Sequence, residues 1–285
     1  MPSEMGGERS QWSPGCGEAR LARVSSMRAY LLDADDDLAA EFDVHVRPAV
    51  RQGTTVRVLL AEVGECQLSR PLGELKGGFG LLVLDGLIAF DTCLDGRTAT
   101  ELLGAGDLLG PPCPRPDAML ACSHCWRVLS PARLALLDAE FAQRVRPWPQ
   151  LSQALLRRAS RRSCELDALR AIVSQPRLEV RLDLLFWHLA ARWGRVERGA
   201  IRVRLPLTHR LLGQLISAER PSVSHALHRL AQAGLVTGGP GDWHLQGTVA
   251  EHLEALSERA PRLTLPQPEQ IAERRREPHR DRVRR

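Results

Sequence analysis

Lysine is almost missing from this chain. Lys76 is the sole lysine among 39 basic side chains in 285 residues, so arginine carries nearly all the positive charge. Arginine offers a planar donor fork that suits phosphates and guanine edges. Aromatic residues make up 4% and tyrosine occurs once. No apolar run approaches the roughly 20 residues that a membrane-spanning helix needs. The longest, Leu184 to Ala191, is interrupted by Trp187 and His188. Residues 1–20 mix acids with glycines and lack an apolar h-region, which argues against a secretory signal. A soluble cytoplasmic protein with no membrane partner is therefore expected. The seven cysteines (16, 66, 93, 113, 122, 125 and 164) form an odd set, and reduced thiols are expected rather than a disulfide framework. Gly-x-Ser-x-Gly, His-Glu-x-x-His and phosphate-loop motifs are absent. Scattered Ser, His and Asp do not make an active site, so no enzyme is expected.

What is present is a chain that can fold and that is charged unevenly. A hydrophobic share of 44% argues against wholesale disorder, and the length allows one large domain or two modest ones. Residues 1–120 carry 11 basic and 18 acidic side chains, whereas residues 121–285 carry 28 and 16. A basic C-terminal half suggests a polyanionic partner there, although a solvated basic surface has the same composition.

Residues 1–28 show no periodicity and read as a flexible arm. Helix is expected around Asp37 to Phe42. Short strands are expected at Val56 to Leu60, Gly80 to Leu84, Leu87 to Phe90, Thr98 to Leu103 and Cys125 to Leu129. The pairs Asp85-Gly86 and Asp95-Gly96 and the run Gly104 to Asp107 punctuate them as turns, a pattern of a small β-barrel or roll. Residues 131–146 read as a helix capped by Ser130 with Pro131 in its first turn. Residues 150–174 read as a long helix with Leu151, Leu155, Leu166, Leu169 and Val173 near a heptad seam that Arg158 and Arg162 interrupt. Periodicity does not distinguish a dimer seam from a face packed on its own domain. A further helix covers 178–194, a strand covers 201–205, and residues 249–260 extend a short helix.

Residues 205–248 are the most informative. Thr208 can cap a helix to Ile216 that buries Leu211, Leu212, Leu215 and Ile216. Gly213 sits inside it, and close approach of a second helix would justify the glycine. Ser217-Ala218-Glu219 forms a small-residue turn. A second helix follows with Val223, Leu227 and Leu230 on one face, leaving Arg220, Ser224, His225 and His228 on or near the other. That polar, donor-rich face suits a major groove. Leu235 to Leu245, with Gly238-Gly239-Pro240-Gly241 at its tip, reads as a wing.

In these residues the chain resembles the cyclic AMP receptor protein / fumarate-nitrate regulator (Crp/Fnr) family, in the high-arginine form typical of actinobacteria. The resemblance is carried by Leu207-Thr208-His209, Leu212-Gly213-Gln214-Leu215-Ile216, Arg220-Pro221-Ser222-Val223-Ser224-His225-Ala226-Leu227 and Leu235-Val236. Gly80 to Gly86, Gly96-Arg97 and Leu102 to Gly110 are similar to that family's strand, hairpin and loop in the same order. The resemblance implies an α+β chain: an N-terminal cyclic-nucleotide-binding-like (cupin-like) β-roll over 29–146, a dimerisation helix over 147–176, a winged helix-turn-helix over 177–249 and a basic, largely disordered tail over 250–285. It implies a homodimeric, sequence-specific transcription regulator that binds double-stranded DNA, with RNA polymerase a compatible partner. The DNA-binding candidates are Thr208, His209, Arg220, Ser222, Ser224 and His225. Arg220 is the foremost candidate for a base contact, because bidentate arginine to guanine is the commonest specific pairing. Arg229 reads as a solvated or intramolecular charge.

Two departures limit what carries over. Pro221 stands where the family has glutamate and His225 where it has a second arginine, so the family's half-site does not transfer. After Gly110 the chain runs Pro111-Pro112, and Arg115 precedes Pro116 where the family places a hydroxyl beside its phosphate-binding arginine. A degenerate pocket is expected, with no cyclic nucleotide and no other identified cofactor. Cys122-Ser123-His124-Cys125, with Cys113 nearby, lacks a second ligand pair, so no metal is expected. The alternatives are a ligand- or thiol-sensing module that acts through a protein partner, and an enzyme on a cupin-like roll.

Overall fold

The computed structural model describes residues 23–66, 73–111, 120, 122–197 and 200–258. The expectations for residues 1–22, for Cys113, Arg115 and Pro116, and for the tail beyond Glu258 lie outside these. None of the described helices is long and apolar enough to cross a membrane.

The N-terminal part contains β1 (Val24–Tyr30), α1 (Leu31–Ala34), α2 (Asp36–Ala40), α3 (Arg47–Gly53), β2 (Thr55–Ala61), β3 (Gly64–Cys66), β4 (Gly80–Leu94), β5 (Arg97–Gly104), β6 (Leu108–Leu109), β7 (Ser123–Leu137) and α4 (Ala139–Arg144). The sheet order is β1-β2-β7-β4-β5, with β3 on β7 and β6 on β4, and the pairing is antiparallel throughout. A small roll is thus the observed architecture. Residues 24–28, read as part of an arm, are the outer strand of this sheet.

Two of the turn and helix assignments are corrected by the pairing. Asp85-Gly86 is a bulge inside one 15-residue strand, not a turn between two. Residues on the inner face are Leu81 and Val83 before it and Ile88 after it, so the in–out alternation changes phase across the bulge, where the register to β7 shifts. Gly86 has φ of +93°, and a Cβ there would meet the Pro131 carbonyl oxygen at 2.4 Å. Pro131 in turn does not start a helix. It lies in β7 opposite the bulge, where the ladder jumps from Leu87↔Ser130 to Asp85↔Arg133, so its missing N–H costs no regular rung. The helix begins only at Ala139, capped by the Asp138 carboxylate, which accepts from Phe141 N at 2.8 Å. A short apolar run such as 132–137 has no period that separates strand from helix. Asp95-Gly96 is a tight two-residue hairpin, both residues having positive φ.

Three clusters of buried side chains follow from this sheet. Its inner face is filled by Leu59, Leu81, Val83, Ile88, Leu103, Trp126, Val128 and Leu134 with Cys66 among them. One end of its outer face packs Leu82, Leu84 and Leu137 against the short helices and the start of α5 (Pro149–Val173). The other end of that face gives Leu87, Ala89 and Leu102 to a core shared with the C-terminal part.

That part contains α6 (Leu178–Trp193), β8 (Gly194–Glu197), β9 (Ala200–Val203), α7 (His209–Ile216), α8 (Arg220–Gln232), β10 (Val236–Gly239), β11 (Asp242–Gln246) and α9 (Val249–Glu258), with sheet order β10-β11-β9-β8. Polar pins join the two parts. Arg127 on β7 donates to Asp91 at 2.7 Å and to the Gln214 side chain on α7 at 2.8 Å. Arg192 on α6 donates to Asp107 at 2.7 Å and to the Ala105 carbonyl at 2.9 Å. In α5, Leu151 and Leu155 are buried against the roll and Leu169 packs on the shared core. Those leucines therefore face their own chain. Leu156, Ser160, Ser163 and Asp167 point outward.

Candidate nucleic-acid interface

Helix α7 starts where its sequence provides a cap. The Thr208 hydroxyl accepts from Leu211 N at 3.2 Å, satisfying a donor the first turn leaves open. Leu211, Leu212, Leu215 and Ile216 are buried beneath it. Gly213 is needed, but the reason differs from the expected helix contact. A Cβ there would lie 2.4 Å from the Ala218 carbonyl oxygen, whereas the nearest atom of α8, on Val223, is 3.6 Å away. The turn folds back on the helix, with Ala218 N donating to the Gly213 carbonyl at 2.8 Å. Ser217 makes this reversal in the left-handed region at φ of +56°.

Helix α8 begins at Arg220 with Pro221 in its first turn, where no N–H is required. Val223, Ala226, Leu227 and Leu230 are buried. Arg220, Ser222, His225 and His228 are exposed on the other side. His228 shares a 3.0 Å hydrogen bond with Gln232, and Arg229 pairs with Glu179 of α6, the intramolecular one of the two readings the sequence left open. Among the described residues no carboxylate pairs with Arg220 or Arg210.

Beyond α8, the hairpin of β10 and β11 turns at Gly239-Pro240-Gly241 and is held to the body by Gly241 N donating to the Leu205 carbonyl at 3.0 Å. Beside this turn Arg202 of β9 grips Asp242 with two donors at 2.5 and 2.8 Å. That grip holds the Asp242 carboxyl below its ordinary pKa. Thr208, His209, Arg210, Arg220 and Pro240 line one open concavity between the first helix, the second helix and the wing tip.

Of the six residues singled out from the sequence, Thr208, Arg220, Ser222 and His225 are exposed around this concavity and the outer face of α8. His209 and Ser224 are half-buried and bonded to each other, Nδ1 to Oγ at 2.8 Å. Arg210 was missed. Its signal was its place beside the Thr208 cap, on the side of α7 away from the leucines.

These elements match a model of the Crp-like helix-turn-helix domain over residues 180–268. Residues 180–268 are a Crp-like helix-turn-helix domain. The match spans about a third of the chain. Three solved structures illustrate the likeness. A double mutant of CooA from Carboxydothermus hydrogenoformans shares 16% identity at TM-score 0.50, covering 61% of this chain and 77% of its own. A CRP/FNR-family transcriptional regulator from Thermus thermophilus shares 20% at TM-score 0.46, covering 64% and 93%. FixK2 from Bradyrhizobium japonicum shares 14% at TM-score 0.48, covering 61% and 85%. The first likeness extends to the fold. None of the curated proteins compared matches the chain.

Among the described residues, no group of three or more His, Cys, Asp or Glu is placed to hold a metal. Cys66 lies in the inner face of the sheet. Burial, with a contribution from the charge of Cys125, pushes its thiol up to about 11.

Proposed function

We propose that this chain is a homodimeric regulator that reads double-stranded DNA through the N-terminal turn of α8, and that its roll binds no cyclic nucleotide. The observation that carries the DNA reading is the segregation of α8. Its apolar residues are buried while Arg220, Ser222 and His225 face outward beside an unpaired basic concavity. Arg220 contacts a base, Thr208, Arg210 and Ser222 contact phosphates, and His225 reaches a base edge or a phosphate. In a two-fold dimer the two α8 helices would enter grooves about 34 Å apart. The outward face of α5, with Leu156 among small side chains, is the surface offered to the second copy. The mass of the full chain by light scattering checks the dimer, and a monomer at micromolar concentration would contradict it.

The filled inner face of the roll supports the degenerate pocket, since Trp126, Ile88 and Leu103 occupy it. Equilibrium dialysis with labelled cyclic AMP should show no binding at micromolar concentration. For DNA, the test is enrichment of a site from a random duplex pool, followed by comparison of that site with a scrambled one. Arg220→Ala should lose about 1–3 kcal/mol of discrimination. Unchanged selectivity would show that α8 has been misassigned. RNA polymerase is a partner this role accommodates.

A further inference from the structure

Three parts of the DNA-reading head meet at one side chain, His209. It is the first residue of α7. Its Nδ1 lies 2.8 Å from the Ser224 hydroxyl of α8. That hydroxyl lies 3.1 Å from the Arg220 carbonyl oxygen and donates to it. Because the serine proton is spent on the carbonyl, Nδ1 must carry the ring proton and donate to the serine oxygen. The ring also faces Trp243 of β11, with centroids 6.5 Å apart. Trp243 is itself buried against Phe186 of α6 at 4.9 Å.

We propose that His209 and Ser224 are positioning residues that aim Arg220. His209 acts through Ser224 to fix the backbone of the first turn of α8, and its ring wedges that turn against the wing. This rests on the reading that α8 enters a major groove. A serine that bonds the carbonyl four residues back perturbs the local helix, and a second bond to the same hydroxyl selects one arrangement. The carbonyl so fixed belongs to Arg220, the residue whose side chain reaches the base. Neither His209 nor Ser224 needs to touch the base for the preference to depend on it.

The full-length chain tests this. The wild type enriches a site from a random duplex pool, and the ratio of its affinities for that site and a scrambled duplex is then measured for three variants. In His209→Asn the amide N–H stands at the place of Nδ1. In His209→Gln it stands at the place of Nε2. Ser224→Ala removes the link. Ser224→Ala and His209→Gln should each lower the ratio about tenfold, the size of one displaced base contact. The thermal midpoint should stay at wild-type level. His209→Asn should restore the ratio. A ratio indifferent to Ser224→Ala, or an asparagine variant as impaired as the glutamine one, overturns the proposal while leaving the DNA reading intact. A wild-type chain that enriches no site overturns both.

Discussion

Ser217 holds φ of +56° in the turn between α7 and α8. A side chain in that region costs roughly 1–2 kcal/mol, which glycine avoids at the expense of a more flexible unfolded chain. Ser217→Gly should therefore stabilise by about 0.5 kcal/mol, read as a higher urea midpoint. Gly213 obeys the opposite logic. Its missing Cβ leaves room for the Ala218 carbonyl, and Gly213→Ala should cost about 1–3 kcal/mol as the turn is forced away. An alanine variant as stable as wild type would mean the turn does not close as described. The thiols differ in the same local way. Thiolate is the reactive form, and Cys66 is buried with its pKa pushed up to about 11. Iodoacetamide at pH 8 should label the exposed Cys122 and Cys164 well before Cys66, as read by peptide mass spectrometry.

At the scale of elements, two joints set how the winged helix sits. Asp91 on β4 is 4% exposed and accepts from Arg127 and from Thr100. Arg127→Ala strands that carboxylate and should destabilise by about 3 kcal/mol. Gln214→Ala removes only a hydrogen-bond acceptor and should cost about 1 kcal/mol. Comparable losses from both would place the weight on the α7 contact instead. The second joint docks α9. His252 is fully buried, with its Nδ1 2.5 Å from Asp183 of α6 and its Nε2 bonded to the Gln246 carbonyl. Burial opposes a charged ring, but the bonds to Asp183 and Gln246 outweigh it and raise the pKa. A raised histidine pKa stabilises fully below the ordinary value of about 6.5 and loses that stabilisation as pH climbs through the raised one. Amide exchange in α9, corrected for its intrinsic rate, should accelerate across that window while α8 stays protected. A flat α9 profile would mean that the pair does not hold the helix.

For the whole molecule, the uneven charge becomes a statement about binding. Arg210 and Arg220 line a concavity in the basic half, so affinity for duplex DNA should fall steeply and log-linearly with salt. Arg210→Ala should weaken binding to all sequences alike and make that slope shallower by about 1, whereas Arg220→Ala should change the preference between sites. An Arg210 variant that altered the preference would exchange the two roles. The roll is joined to this head through Leu87, Ala89 and Leu102 and through the Arg127 and Arg192 pins.

What the chain itself determined is what depends on neighbours in sequence. The Thr208 cap, the leucine face of α7, the Val223–Leu227–Leu230 face of α8 and the glycine-rich wing tip all lie within one or two turns of each other, and local spacing specifies them. Tertiary structure decided what distant partners settle. Residues 131–137 are strand because β2 and β4 flank them, and Asp85-Gly86 is a bulge because β7 continues past it. Leu151, Leu155 and Leu169 of α5 turn toward their own chain because the roll and the shared core offer apolar surface there. His209 and Ser224, 15 positions apart, met only when two helices crossed. Local periodicity gives a side chain its face, but not the partner that covers it.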